Sequence, residues 1–381
     1  MIYVDNAATT ALKPEVLDKM MPYLTSQYGN PSSIYDLGRQ AKAAIEQARA
    51  SVASVLGANA NEVYFTGSGS EADNWAIKGM AHAAKGKHII TSAIEHHAVL
   101  HCFEYLAKNG FDVTYLPVDS HGIVNPDDLK AAIKPETGLI SIMAANNEIG
   151  TIQPISQLAK IAHEGKIPFH TDAVQAFGHI PFNVSDLGVD AASVSAHKLG
   201  GPKGVGVLYI KRGTRIGQFM HGGAQEYGRR ASTENVAGIV GFGHAAALAA
   251  DGMEEKIKKV SSLRDSFITQ VLNEIPKCRL NGHSKQRLPG NVNISFDYIE
   301  GESLLLLLDM KGIAASSGSA CTSGSLDPSH VLLALGLPHE TAHGSLRVSF
   351  SENNTMQEVD KIVKELVPIV ARLREMSPLT E

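Results

Sequence analysis

The chain has 381 residues, 44% hydrophobic and 19% charged, with a formal net charge of −5. That length buries a large core and implies a large and a smaller domain. The acidic balance gives no footing for a nucleic-acid partner, and no apolar run approaches the ~20 residues of a membrane span. Three cysteines, Cys102, Cys278 and Cys321, are too few for a disulfide framework and fit a reducing cytoplasm. The polar turn Asp5–Asn6–Ala7–Ala8–Thr9–Thr10 comes too early for a secretory leader. Neither CxxC nor HExxH occurs, which argues against an intrinsic metal site.

In chain order, residues 1–4 read as a short extended segment and residues 14–28 as a helix, followed by the loop Gly29–Asn30–Pro31–Ser32–Ser33. Residues 41–56 are alanine-rich and amphipathic, a helix by composition and period. Residues 62–66 form a strand, which Gly67–Ser68–Gly69–Ser70–Glu71 turns into a helix reaching Met80. Strands at 88–91, 113–116, 139–143 and 168–172 then alternate with helices at 98–109, 126–133 and 155–164. Strand–helix alternation implies an α/β fold with a mainly parallel, doubly wound sheet, whose ligands bind at the carboxyl ends of the strands. The segment ending at Ser195 and the strand 205–210 flank a tight turn.

After Gly222 the pattern changes. Helices at 235–250 and 254–273 are followed by a strand at 292–296, a helix at 303–310, a strand at 345–350 and a last helix at 356–375. This reading gives a large domain at 11–250 and a smaller α+β domain made of 1–10 and 251–381.

The turn Ser195–Ala196–His197–Lys198 carries the chemistry around which the rest is arranged. An amine on a rigid turn can form a Schiff base with a carbonyl cofactor, and the neighbouring Ser and His can hold that cofactor's phosphate. A plain polar turn has the same composition, so the company of Lys198 matters. Gly69 and Ser70 sit at a helix start, where backbone N–H groups and the helix dipole favour an anion, although such turns also merely cap helices. Asp172 ends a buried strand; it can pair with a protonated pyridine nitrogen or cap a helix, and Gln175 can reach a ring hydroxyl. His96 and Asn147 each follow a strand. An imidazole there can stack on a flat ring or pass protons, but with 16 histidines in the chain many are structural. Cys321 lies among glycines and small polar residues, which suits an exposed, reactive thiol. Arg347 lies on an alternating strand and can grip a carboxylate with two prongs.

Together these residues resemble the cysteine desulfurases, pyridoxal-phosphate enzymes of the fold-type I, class-V aminotransferase group, in their nitrogen-fixation and iron–sulfur-cluster branch. The resemblance runs from Tyr3–Val4–Asp5–Asn6–Ala7–Ala8–Thr9–Thr10 to Ser377–Pro378–Leu379. Its specific parts are the Gly-Asn-Pro-Ser-Ser loop, Asn146–Asn147–Glu148–Ile149–Gly150, His170–Thr171–Asp172–Ala173, Ser195–Ala196–His197–Lys198 and Ser317–Gly318–Ser319–Ala320–Cys321. It implies a seven-stranded, mainly parallel sheet and pyridoxal 5'-phosphate as cofactor. Lys198 would carry the cofactor and move protons, and His96 would stack on its ring. Asp172 would pair with the ring nitrogen, with Gln175 and Asn147 nearby. Gly69, Ser70, Ser195 and His197 would hold the phosphate, completed by Thr233 from the neighbouring subunit of a homodimer. Arg347 and Asn147 would bind the carboxylate of L-cysteine. Cys321 would take the sulfur as a persulfide, leaving L-alanine, and hand it to an acceptor such as an iron–sulfur scaffold; it is also a candidate ligand for a transient cluster. A selenocysteine lyase or a related class-V enzyme is the alternative. The sequence departs from the pattern at Tyr227 and at Ala231–Ser232, where members carry Arg and Ser-Gly.

Overall fold

The computed structural model describes residues 1–317 and 328–377, and Cys321 lies outside them. Its strands are β1 (Ile2–Tyr3), β2 (Val63–Thr66), β3 (His88–Ser92), β4 (Asp112–Leu116), β5 (Thr137–Ser141) and β6 (Phe169–Asp172), followed by β7 (Ala191–Ser195), β8 (Gly206–Ile210), β9 (Cys278–Leu280), β10 (Asn291–Phe296), β11 (Ile313–Ala314) and β12 (Ser345–Ser349). Seven of them form the central sheet in the order β2-β8-β7-β6-β5-β3-β4. β7, β6, β5, β3 and β4 run parallel, while β8 is antiparallel to both β7 and β2. Hence β2, β3, β5, β6 and β7 all end at the same edge.

Successive strand residues face opposite layers. Ile89, Leu139, Ala191 and Leu208 pack with Trp75, Ile77, Val99 and Phe103 from the helices Gly69–Ala83 and His97–Lys108. Ile90, Ile140, Ala192 and Val207 pack with Val52, Leu158 and Phe242 from the helices Asp36–Leu56, Ile155–Glu164 and Val236–Ala250. Burial on both faces explains why these strands read as nearly continuous apolar runs.

A separate core gathers Ile2 and Val4 with Phe267, Ile294, Leu308, Val348 and Leu366. Here β12-β10-β9 form an antiparallel sheet, and β1 pairs with β11 in parallel. The first four residues therefore belong with the last third of the chain. Between the helices Val236–Ala250 and Met253–Glu274 the chain bends by 76°. No single helix among the described residues is long and apolar enough to cross a membrane.

Several boundaries differ from the sequence reading, most by one or two residues. The helix expected from residue 41 begins at Asp36, because its acidic first turn suits the helix dipole and Gly38 lets it press on the preceding loop. A Cβ at Gly38 would clash with the Ser33 carbonyl oxygen. The first helix stops at Thr25, and β5 covers Thr137–Ser141 rather than running to Met143.

Candidate active site

Because β3, β5, β6 and β7 are consecutive neighbours and parallel, the chain leaves the sheet at one edge after each of them. His96, Asn147, Asp172 and Lys198 come from those four exits, and the helix that starts at Gly69 comes from β2 at the same edge. The structure thus supplies the geometric reason for the spacing seen in the sequence.

Lys198 ends a 3₁₀ turn, Ala196–Lys198, directly after β7. Gly201 N–H donates to Ala196 O at 3.0 Å, and Gly200 adopts φ +81°, so the turn closes tightly. The Lys198 ammonium donates to Ala7 O and Ala8 O, each at 2.7 Å. Gln175 Nε2 reaches the same Ala7 carbonyl at 3.0 Å. The Asn6–Thr10 segment, whose chemistry the sequence reading left unassigned, is therefore a wall of the site. Thr9 Oγ1 lies 3.1 Å from His197 Nδ1, and burial with neighbouring Lys198 and Lys203 holds His197 down at about 4, a neutral imidazole.

Asp172 is buried, and its Oδ1 accepts from Val174 N–H at 2.9 Å. Burial raises its carboxyl to about 6, against the opposing pull of Val174 N–H and of Lys198. His96 caps the helix His97–Lys108, with Nδ1 accepting from Ala98 N–H at 3.1 Å. That bond places the proton of the neutral ring on Nε2. Burial, then Lys198 and the cluster His97, His330 and His101, pushes its pKa down to about 4.

The helix start packs closely against the turn after β7. Ser68 uses its side chain to cap the helix through Glu71 N–H at 3.1 Å, which leaves the Ser70 hydroxyl exposed. A Cβ on Gly69 would stand 2.8 Å from Val174 Cγ2 and 3.3 Å from Ser195 Cβ. Only glycine lets the helix N-terminus come this close to Ser195.

Arg347 is 2% exposed and lies on β12. Its Nη2 donates to Asp5 Oδ1 at 2.9 Å and its Nη1 to Asn147 O at 3.2 Å. Its buried Nε has no hydrogen-bond partner among the described residues. A buried guanidinium donor without a partner is expensive unless a ligand completes it. The residues flanking the Cys321 segment are tied to the same region. Ser316 pairs with Arg347 through two backbone hydrogen bonds, and Ser329 Oγ donates to the Glu148 carboxylate.

Thr233 stands apart. It is exposed, on a segment anchored by two ion pairs, and its hydroxyl bonds none of the groups around Lys198. Arg230 grips Glu71 with Nε and Nη2 at 2.7 and 3.1 Å, and buried Glu226 grips Arg49. The sequence departures lie here. Tyr227, at φ +56°, packs edge-on to Tyr64 and under Arg49, and Ser232 takes φ +120° where the family pattern has glycine. Burial raises the Cys102 thiol to about 12 and also raises that of Cys278, which disfavours the thiolate at both. Among the described residues no group of three or more His, Cys, Asp or Glu is placed to hold a metal ion.

A lysine on the turn after a parallel strand, an aspartate at the end of its neighbour and a glycine-opened helix define a chain of the class-V aminotransferase family. Residues 2–362 match the family model described as Aminotransferase class-V. The chain is 58% identical over 381 residues to "Cysteine desulfurase IscS" of Methanosarcina thermophila, covering all of this chain and 94% of that protein. It is 56% identical over 384 residues to the protein of the same name from Clostridium botulinum strain Hall, covering 100% and 97%. A solved NifS-like protein superposes with a TM-score of 0.92 at 39% identity, covering 98% of this chain and 100% of that one. A structure titled "SspA in complex with cysteine" superposes with a TM-score of 0.82 at 35% identity, covering 93% and 100%. Within the family the chain belongs with the cysteine desulfurases.

Proposed function

We propose that the chain converts L-cysteine to L-alanine, with the sulfur retained on Cys321, and that it uses pyridoxal 5'-phosphate. The observation that carries this reading is the meeting of Lys198, Asp172, His96 and Arg347 at one sheet edge. The residues fit the cofactor in that the close approach of Gly69 to Ser195 leaves a cradle for a phosphate, and the Arg347 Nε, without a partner among the described residues, suits the substrate's carboxylate. When bound, the cofactor acts as an electron sink for a carbanion on the substrate. Lys198 would hold it, and Gly69, Ser70, Ser195 and His197 would receive its phosphate.

The chain's own residues divide the remaining work. Asp172 supplies the anion that keeps a pyridinium nitrogen protonated. Gln175 and Asn147 supply polar groups beside it. His96 would stack on the ring, its Nε2–H serving as a hydrogen-bond donor. Arg347 orients the substrate carboxylate with Asn147. The Cys321 thiolate takes the substrate's sulfur, so that L-cysteine and one thiol become L-alanine and one persulfide, with no external oxidant. That last role rests on the family resemblance alone.

The persulfide would pass to an acceptor protein, of which an iron–sulfur scaffold is one kind. The names of the relatives support this reading. Thr233 would serve the neighbouring site of a homodimer. Residues 11–250 would form the large domain, with 1–10 and 251–381 forming the small one, in a cytoplasmic protein as the cysteine usage suggests.

The test is alanine production from L-cysteine with a reductant, with L-selenocysteine in parallel. Wild type should be yellow and produce alanine, Cys321→Ser should stay yellow and lose the activity, and Lys198→Ala should lose the colour. A colourless, folded wild type after reconstitution, or a Cys321→Ser variant that still desulfurates cysteine, overturns the proposal.

A further inference from the structure

Behind Asp172 lies a second carboxyl that the reaction does not use. Asp73 sits one turn into the helix Gly69–Ala83, fully buried against the sheet. The strand register brings a row of polar side chains under it. Thr91 pairs with Ser141, Ser141 with His170, and Asp172 with Ser193, so these five residues share one face. That is the face covered by the helix Gly69–Ala83, since Ile89, Leu139 and Ala191, of the same parity, pack against it.

The row is hydrogen-bonded across the strands. His170 Nδ1 lies 2.8 Å from Ser141 Oγ, and His170 Nε2 lies 2.9 Å from Ser193 Oγ. The Ser193 hydroxyl also acts on Asp73, pulling its pKa down against burial. Asp73 Oδ1 stands 3.8 Å from His170 Nε2 and has no hydrogen-bond partner among the described residues.

Two carboxyls, Asp73 and Asp172, therefore share a dry space with few cations. His170 gives none, because burial pushes its pKa down to about 3. Glu95, also buried nearby, is itself raised to about 8 by burial, and Cys102 stays a thiol. Lys198 is the cation that acts on the pair, and it acts on Asp172. Asp172 also has Val174 N–H, whereas Asp73 keeps an orphaned oxygen that an ionised carboxylate could not leave bare without a large penalty. Burial, and then the charge of Asp172, drive Asp73 well above the ordinary carboxylate range.

We propose that Asp73 is the positioning partner of Asp172: the two carboxyls share one negative charge, with the proton on Asp73 and the anion on Asp172, and the Ser193–His170–Ser141 line fixes both to the sheet. Asp172 is thereby left as the sole carboxylate at the strand end, poised for a protonated ring nitrogen. The Asp73 proton never leaves during turnover. This inference rests on the assignment of Asp172 to the cofactor ring.

Infrared spectra of protein carrying ¹³C-labelled aspartate test it, recorded at neutral pH with and without pyridoxal phosphate. Native protein should show one protonated aspartate carbonyl band. Asp73→Asn should abolish that band. Asp172→Asn should keep it, with a midpoint moved to lower pH because the neighbouring anion is gone. In cofactor titrations Asp73→Asn, which keeps the shape and stays neutral, should bind within about threefold of wild type. Asp73→Ala should bind roughly tenfold more weakly, the scale of one buried hydrogen bond. No protonated band in native protein, or a band that survives in Asp73→Asn, overturns the proposal; so does an Asp73→Asn variant that binds cofactor as poorly as Asp73→Ala. If Asp73→Ala does not fold, the infrared comparison decides alone. Absence of colour in wild type would instead refute the cofactor assignment, while the infrared result on the cofactor-free protein would still stand.

Discussion

Removing the Glu226 carboxylate should weaken the fold more than any exposed charge does, because this side chain closes a sheet edge. β2 is the outermost strand on its side, so its outward Val63 carbonyl and Phe65 N–H have no strand to pair with. Glu226 Oε2 accepts from Phe65 N–H at 2.9 Å and from Arg49 Nη1 at 2.7 Å, while Oε1 accepts from Arg49 Nη2 at 3.0 Å. Arg49 Nη1 also donates to Val63 O at 2.7 Å. The ion pair thus replaces a neighbouring strand. Glu226→Ala strands a buried guanidinium, which costs about 3–5 kcal/mol, and leaves a buried N–H bare, which costs about 1–3 kcal/mol. Partial relaxation and the retained Val63 bond bring the expectation to about 4 kcal/mol. With an unfolding entropy of about 2 cal/mol/K per residue over a chain this long, the melting temperature should fall by about 5 °C. Glu46→Ala, which removes the exposed partner of the same arginine, should cost less than about 0.5 kcal/mol. Thermal unfolding of the cofactor-free protein measures all three forms. If Glu226→Ala melts within a degree of wild type, or no lower than Glu46→Ala, the edge-closing argument is wrong.

Gly69→Ala should fold but bind cofactor at least tenfold more weakly, because the new methyl would press on Val174 and Ser195 at 2.8 and 3.3 Å and push the helix start away; a titration with wild-type affinity would refute the cradle. Ser232→Gly should stabilise the protein by about 1 kcal/mol, since a serine at φ +120° stores strain that glycine does not; an unchanged or lower melting temperature would count against it. Glu95 is raised from 4.5 to about 8 by burial, although Ser92 and Met143 N–H pull it down. Its native form therefore binds a proton more tightly than its unfolded form, so its contribution to stability is present below pH ~4.5 and is lost as pH rises towards 8. Glu95→Gln should flatten that part of the stability–pH curve, and chemical denaturation at several pH values would show an unaltered slope if the sign were wrong.

Much of the architecture was legible in the sequence because it is written in local patterns. Apolar runs bounded by turn residues gave the buried strands, and their alternation with helices gave a mainly parallel sheet. The Ser195–Lys198 turn, Asp172, His96 and Asn147 could be singled out because a parallel sheet sends every strand exit to one edge. Lys198 then stood in the company that a lone lysine lacks.

Other groups were invisible because nothing local marks them. Asp73 looks like any helix acid until the register of β5, β6 and β7 sets a histidine and two serines beneath it. Glu226 looks like a loop glutamate until β2 proves to be an edge strand. Asp5, Ala7 and Ala8 lie in a recognisable N-terminal motif, yet their meeting with Arg347 and Lys198 joins residues about 190 and 340 positions apart. Side-chain periodicity and turn chemistry depend on near neighbours, so the chain alone determined the elements, their order and the candidate chemistry. Which carboxyl is left without a cation, which backbone group is left without a strand and which arginine donor is left without a partner depend on desolvation by residues distant in sequence, and only the tertiary structure decided those.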